Sequence, residues 1–538
     1  MAAMTDLRPE PALVAALRAD LQDLDYSVDR VGVALGPVAS AALHREQPLP
    51  ALRVTAADDD PVALLVRAFT LGRPVPAARL DQALPRTRVE GLVELGLAHR
   101  AGDQVQATVD LRPYGDESHT WWVVSDLGEL ALGHALPTDH VLGIGGASTT
   151  LASWTPRRPA ARALDLGTGC GIQALHLADH CGEVVATDLA ERALVVARFN
   201  AALNDQEWDV RGGDLLEPVA GETFDLVVSN PPFVITPRVA GVPTYEYRDA
   251  GAEGDQVVER LVRGLHDHLN PGGLAVFLGN WEIPVGATWR DRWGGWLDGT
   301  GLDAWVVQRE VQDPAEYAEL WVRDGGTSGG PEFERLYAAW LDDFASRDVG
   351  QIGFGVVVLQ RPVSDRPAFR DLVEVPGPVS SPMGPVIDAG MAARTWLAEH
   401  DDAAVLGTAW RLADDVTEER FGRPGDVDPA IIRVRQGGGL GVMRTAGTAL
   451  AAYLSVADGT LTACQALVAI AALLEREVDE VVAETLPVVR DLVKDGLLVR
   501  TRRDEPVCRP PAASATVTRT APRPASDDES VARGRSDR

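Results

Sequence analysis

Lysine is all but missing from this chain of 538 residues: Lys494 is the only one, and arginine supplies the rest of the 50 basic side chains. We read that bias as codon usage in GC-rich DNA rather than as function. Against 79 Asp and Glu the basic residues leave a formal net charge of −29. Such a charge repels nucleic-acid phosphates at long range unless a local basic patch overrides it. No Lys- or Arg-rich run supplies one in the core, so charge tilts the choice of partner toward protein or small molecule without settling it. Cysteine is scarce as well: Cys170, Cys181, Cys464 and Cys508 are scattered, which suits a reducing cytoplasm rather than a disulfide framework. No uninterrupted apolar run approaches the roughly 18 residues of a membrane span. The first residues include Asp6, Glu10 and Asp20 without a basic stretch, so no secretion signal is expected.

What the chain does have is a 46% hydrophobic content, enough for globular domains, and a length too great for one ordinary core. Its most informative stretch opens with Ala-Leu-Asp-Leu-Gly-Thr-Gly-Cys-Gly, from Ala163 to Gly171. Arg162 to Leu166 suits a buried parallel strand. Gly167, Gly169 and Gly171 let the backbone turn sharply and approach a ligand before a helix begins near Ile172. The spacing Gly-x-Gly-x-Gly departs from the dinucleotide pattern Gly-x-Gly-x-x-Gly. A second strand, Glu183 to Thr187, ends in Asp188; a third segment, Trp208 to Gly213, ends in Asp214; a fourth, Asp225 to Ser229, delivers Asn230 and the sequence Asn-Pro-Pro-Phe to Phe233. Each aspartate alone could be a turn or cap. Polar groups at successive strand ends form one site at the carboxyl edge of an open sheet.

These motifs resemble those of the class I S-adenosylmethionine-dependent methyltransferases, in the Asn-Pro-Pro-(Phe/Tyr) branch that methylates exocyclic amines of nucleobases or the amide of glutamine. The resemblance covers roughly Val141 to Pro362. It implies a Rossmann-like seven-stranded α/β sheet, with Leu274 to Trp281, Leu302 to Val311 and Gln351 to Gln360 as the later strands and the final pair antiparallel. It also implies a cofactor site for S-adenosylmethionine built from Asp165, Gly167, Thr168, Gly169, Gly171, Asp188, Asp214 and Asn230. Asp188 is placed to accept hydrogen bonds from both ribose hydroxyls, and Asp214 to approach the adenine ring. The catalytic set is Asn230, Pro231, Pro232 and Phe233. An amide or aromatic amine nitrogen shares its lone pair with a π-system. Acceptance of its two N–H bonds by the Asn230 side chain and the Pro231 carbonyl orients that lone pair toward the sulfonium methyl. The prolines stiffen the loop, and Phe233 offers a flat face.

For the acceptor, a protein glutamine is narrowly favoured over RNA. Tyr245 to Asp255 contains a Gly-x-x-Gly-Asp stretch similar to the one release-factor glutamine methyltransferases carry after their Asn-Pro-Pro motif. An rRNA or other nucleobase amine is the alternative. A non-catalytic protein that only senses the cofactor is a third reading, against which the intact Asn230 to Phe233 argues.

The flanks read as two mainly helical, winged-helix-like domains. Leu92 to Arg100 and Leu492 to Arg500 each look like a helix end, a glycine C-cap at Gly96 or Gly496, and a strand. Gln104 to Leu111 is expected to supply wing strands in the first copy. Such ends leave nucleic-acid contact possible. The expected division is an N-terminal domain over 1–135, the methyltransferase domain over 136–362 with an insertion at 312–350, a proline-rich linker over 363–385, a C-terminal domain over 386–500 and a disordered tail over 501–538. The aromatics Phe333, Tyr337, Trp340 and Phe344 in the insertion have helical spacing, which means core packing, with a lid as the livelier alternative. No metal is expected, although His176 and His180 share one helix face. Cys170 belongs to the cofactor turn, at the opposite end of that helix, and His266 and His268 are read as solvated. A cytoplasmic enzyme is the resulting expectation.

Overall fold

The computed structural model of the chain describes residues 7–116, 118–133, 136–249, 251–425 and 428–501. The tail expected to be disordered lies outside them from residue 502 onward. At the centre is a sheet of eight strands: β1 (Ala160–Leu166), β2 (Cys181–Asp188), β3 (Asp209–Gly212), β4 (Phe224–Ser229), β5 (Leu269–Pro284), β6 (Asp303–Gln312), β7 (Val349–Gln360) and β8 (Arg370–Glu374). Their spatial order is β8-β6-β7-β5-β4-β1-β2-β3. β1 to β5 run parallel, and β7 is antiparallel to both β5 and β6. The parallel strands carry Val, Leu and Ala on both faces, as a sheet covered on both sides requires. Helices α1 (Ile172–Ala178), α2 (Glu191–Leu203), α3 (Gln256–Gly264) and α4 (Trp289–Leu297) connect the strands.

The seven expected strands are all present, and an eighth is added. β8 lies inside the segment expected to be a linker and pairs parallel with β6, from Ala304↔Arg370 to Gln308↔Glu374. Pro362, Pro367, Pro376 and Pro378 around it hide the strand in sequence. An edge strand, bonded on one side only, tolerates prolines at its ends. The insertion forms a helical hairpin, α5 (Pro314–Asp324) and α6 (Gly330–Ser346). Its Trp340 and Phe344 are buried, and Phe333 stacks on Tyr337 at 5.5 Å. The buried Tyr317 hydroxyl accepts hydrogen bonds from Asn280 Nδ2 at 2.6 Å and from the Ile235 backbone N–H at 3.1 Å. The hairpin is therefore packed beneath the loop that follows Asn230, and core packing rather than a lid is its role.

The flanks are less purely helical than expected. The N-terminal part has helices Pro11–Asp23, Val28–Leu43, Leu49–Ala57, Ala77–Ala83 and Arg88–Glu94, with a small sheet of Val75–Pro76, Gln104–Ala107 and Ala98–Ala101. The wing strand ends at Ala107, because Thr108 turns back to donate from its hydroxyl to the Gly96 carbonyl at 2.8 Å. A separate hairpin, Val109–Gly115 with Thr120–Asp126, follows. The C-terminal part sets helices Gly384–Glu399, Ala463–Leu473 and Val478–Lys494 among two further three-stranded sheets. The matching helix ends are real: Leu97 N–H donates to Leu92 O at 2.9 Å and Leu497 N–H to Leu492 O at 2.8 Å, each around a glycine with φ of 80°. That is the glycine-terminated bond pattern expected of such ends.

Neither flank is a loose attachment. The N-terminal core, with Leu17, Phe69 and Leu111, is continuous with Ile172 and Leu175 of α1 and Phe199 and Leu203 of α2. Two asparagines one turn apart, Asn200 on α2 and Asn204 at its C-cap, fasten the hairpin to it. Asn200 accepts from Val124 N–H and donates to Val124 O, both at 2.8 Å, and Asn204 does the same with Trp122 at 2.9 and 2.8 Å. At the other end Arg394, buried, donates to Asp371 of β8 at 2.9 Å and to Lys494 O at 2.8 Å, with its guanidinium 3.5 Å over Trp305. Replacing Asn200 with Ala leaves both polar groups of Val124 unpaired against an apolar helix. A loss on the order of 3 kcal/mol in unfolding free energy is expected, checked by urea denaturation.

Candidate functional site

The turn from β1 to α1 is built by hydrogen bonds to its neighbours. Gly167 and Thr168 N–H both donate to Thr187 O of β2 at 2.9 Å. Gly167, Gly169 and Gly171 have φ of 73°, 56° and 89°, values that side chains other than glycine resist. A Cβ on Gly171 would also come within 2.6 Å of the Trp208 ring. Asp165, at the end of β1, accepts from the Thr168 hydroxyl at 2.6 Å and from Ala174 N–H at 3.0 Å, so one carboxylate ties the turn to the first turn of α1. Its burial pushes its pKa up to about 7. Asp188 accepts from Gly169 N–H at 2.8 Å and from Ala190 N–H at 2.9 Å. Burial raises its pKa too. A carboxylate offers about four lone-pair sites, so Asp188 keeps capacity for two more donors.

Above this turn lies a cavity of about 590 Å³ lined by Gly167, Thr168, Gly169, Asp188, Asp214, Asn230, Pro231 and Pro232. Expected residues from the ends of β1, β2, β3 and β4 are thus brought together. Asp214 also pairs with Arg260 at 2.5 Å on the more exposed rim. Asn230 Oδ1 is buried and accepts no hydrogen bond among the described residues. Three members of the expected set stand elsewhere. Asp165 and Gly171 shape the turn from behind without lining the cavity. Phe233 does not line the cavity; its ring packs on Phe354 with centroids 5.6 Å apart, and its backbone forms an antiparallel bridge with Asp249. Its contact with Phe354 ties the loop to β7.

Other lining residues were not singled out in sequence. His140, Val141 and Gly143 come from the segment before β1, and Arg238, Tyr247 and Asp249 from the loop after Phe233. Glu246 N–H donates to Thr138 O at 2.9 Å, joining the two segments, and His140 meets Tyr247 edge-on at 5.9 Å. In the Gly-x-x-Gly-Asp stretch, Asp255 is directed inward: it accepts a bidentate pair from Arg292 and the Glu282 N–H at 2.8 Å. Asp249, six residues earlier, is the carboxylate that reaches the cavity. Of the two histidines on one helix face, His176 has both ring nitrogens occupied, by Tyr114 Oη at 2.6 Å and Arg157 Nη2 at 2.7 Å.

The sheet order, the glycine turn and the Asn-Pro-Pro-Phe loop at the end of β4 define a methyltransferase domain of the S-adenosylmethionine-dependent class. Residues 143–291 match the family described as Methyltransferase small domain. Residues 23–108 match a Domain of unknown function (DUF7059). The chain is 36% identical over 130 residues to a ribosomal protein uL3 glutamine methyltransferase of Bradyrhizobium diazoefficiens, a match covering 22% of this chain and 40% of that one. It is 35% identical over 130 residues to a release factor glutamine methyltransferase of Geobacter sulfurreducens, covering 22% and 46%. It is 28% identical over 130 residues to a ribosomal RNA small subunit methyltransferase C of Alcanivorax borkumensis, covering 24% and 35%. The chain thus spans less than half the length of each of these three relatives.

The raised pKa of Asp165 has a consequence for stability. Between about pH 4 and pH 7 the folded protein holds a proton that the unfolded chain has released, so stability falls as pH rises through that window. Asp165→Asn keeps an acceptor for Thr168 and Ala174 but cannot ionise. The drop in urea midpoint between about pH 5 and about pH 8 should therefore be smaller in the variant than in the wild type.

Proposed function

We propose that this protein transfers a methyl group from S-adenosylmethionine to a planar amide or amine nitrogen on a macromolecular acceptor. The observation that carries the reading is Asn230 Oδ1: a buried acceptor without a partner among the described residues, on the same cavity as Asp188 and the glycine turn. Buried polar atoms are nearly always satisfied, so this oxygen calls for a ligand donor. The sulfonium methyl of the bound cofactor supplies the electrophile. Asp188, held by two backbone N–H groups, would accept the ribose hydroxyls, and the backbone of Gly167 to Gly169 would lie against the amino acid end. Asn230 and the Pro231 carbonyl would accept the two N–H bonds of the acceptor nitrogen, which turns its lone pair toward the methyl. The proton leaves only after transfer has made the nitrogen acidic, so no strong base is needed beforehand.

A glutamine amide and a nucleobase amine both present such a nitrogen, and the relatives' names include both kinds of acceptor. The cysteines at 170, 181 and 464 are free, in keeping with action in a reducing cytoplasm.

Two substitutions separate the proposed roles. Asp188→Ala should weaken S-adenosylmethionine binding at least about tenfold by calorimetry, as for loss of charge-assisted hydrogen bonds. Asn230→Ala should leave that affinity nearly intact while turnover falls by about 100-fold. Turnover is read by incubating the protein with tritiated cofactor and fractionated cell extract and asking whether label follows protein or RNA. A protein that binds the cofactor and labels neither would be a sensor, and the proposal would fall.

A further inference from the structure

The C-terminal part presents a helix face without charge. Charged side chains make up 24% of the sequence, yet none falls between Leu461 and Leu474. Helix Ala463–Leu473 turns Ala463, Ala466, Leu467, Ile470 and Ala471 into the C-terminal core. At roughly 100° per residue, Cys464, Gln465, Val468, Ala469, Ala472 and Leu473 make up the opposite half of the helix, and all of them are exposed. Leu473 is 83% exposed and Val468 44%, with Leu461 at 44% just before the N-cap Thr462. The Gln465 side chain is engaged in the cap, where its Oε1 accepts from Thr462 N–H at 3.0 Å. A helix apolar on all sides is ordinarily buried on all sides, and an exposed face of this kind marks a contact surface.

Charge decides what covers it. The face runs into an exposed acidic rim of Glu475, Glu477, Asp479 and Glu480, which make no ion pair among the described residues. Arg476 between them is taken by Glu484 at 2.8 Å. The next helix, Val478–Lys494, offers no free cation either: Arg490 pairs with Asp402 at 3.0 Å and Lys494 with Asp491 at 3.2 Å. Nucleic-acid phosphates and anionic lipid headgroups are both repelled by such a surface. A second copy of the chain would bring the same uncharged face and leave the acids without counter-charges.

We propose that the exposed face of helix Ala463–Leu473, with the acids that follow it, is a docking surface for a cationic amphipathic helix of a partner protein. The apolar stripe of that helix packs on Val468, Ala472 and Leu473, and its Lys or Arg side chains meet the acidic rim. Docking of this kind is independent of the methyl-transfer reading.

The probe is a synthetic amphipathic helix with leucines along one stripe and lysines elsewhere, titrated in a calorimeter into the full-length protein. A peptide of the same composition with the stripe scrambled, and one with glutamate in place of lysine, serve as controls. The striped cationic peptide should bind saturably and at least about tenfold more tightly than either control. Leu473→Glu should weaken its binding at least about tenfold, although the new carboxylate adds charge that non-specific attraction would favour. Val468→Glu, on the same face, should act in the same direction. Glu475→Gln combined with Glu477→Gln and Glu480→Gln should weaken binding and reduce its salt dependence. Equal binding of the scrambled peptide, or unchanged binding to Leu473→Glu and Val468→Glu, would overturn the proposal, because net charge alone would then account for the affinity. Equal binding of the anionic helix would overturn it as well. A dimer of the protein alone in sedimentation, dissociated by Leu473→Glu, would show that a second copy is the occupant instead.

Discussion

Everything at the site depends on how the turn from β1 to α1 is held. Its own backbone is strained toward glycine torsions, and three neighbours keep it there: Thr187 O from the next strand, the Asp165 carboxylate from below, and Asn200 Nδ2, which donates to Cys170 O at 2.8 Å. Asn200 is the same side chain that fastens the N-terminal hairpin to α2. The cofactor turn is thus bonded at once to the sheet and, through one amide, to the N-terminal part. An amide suits the task because it carries donors and an acceptor in fixed geometry.

This coupling changes the standing of the N-terminal part. It shares a continuous apolar core with α1 and α2, and the segment His140 to Gly143 that follows it reaches the cavity wall. Cutting the chain near the start of β1 would expose Ile172, Leu175 and Phe199 to water. A domain in the sense of an independently cored unit is therefore a poor description of residues 7–133. The C-terminal part is joined differently, by the polar cluster at Arg394 beside the sheet edge.

Arginine does structural work throughout. Arg292 with Asp255, Arg366 with Asp303 and Arg347 with Glu282 are all pairs in which the acid is buried. The planar guanidinium satisfies both carboxylate oxygens and loses hydration more readily than an ammonium. A codon bias toward arginine is therefore compatible with a core that buries many acids. Those same pairs neutralise locally some of the charge that the net value of −29 suggests is free.

The central strands, the glycine turn, Asp188 and the Asn230 loop are legible in the sequence because each is local: hydrophobic runs of five to eight residues end at a punctuating glycine, proline or acid. β8 was not, because its apolar content is two residues among prolines and its existence depends on the free edge of β6. The lining role of Asp249 and the inward turn of Asp255 were not either. Both are acids in one loop, and the partner each finds, Arg238 or Arg292, lies on a different element and decides which carboxylate faces the cavity. Phe233 likewise belongs to the motif, yet Phe354 of β7 claims its ring. Motif spacing specifies the backbone at a strand end. Where a side chain goes from there depends on which distant surface is available to bury it, and only the folded arrangement of sheet, insertion and flanks supplies that surface.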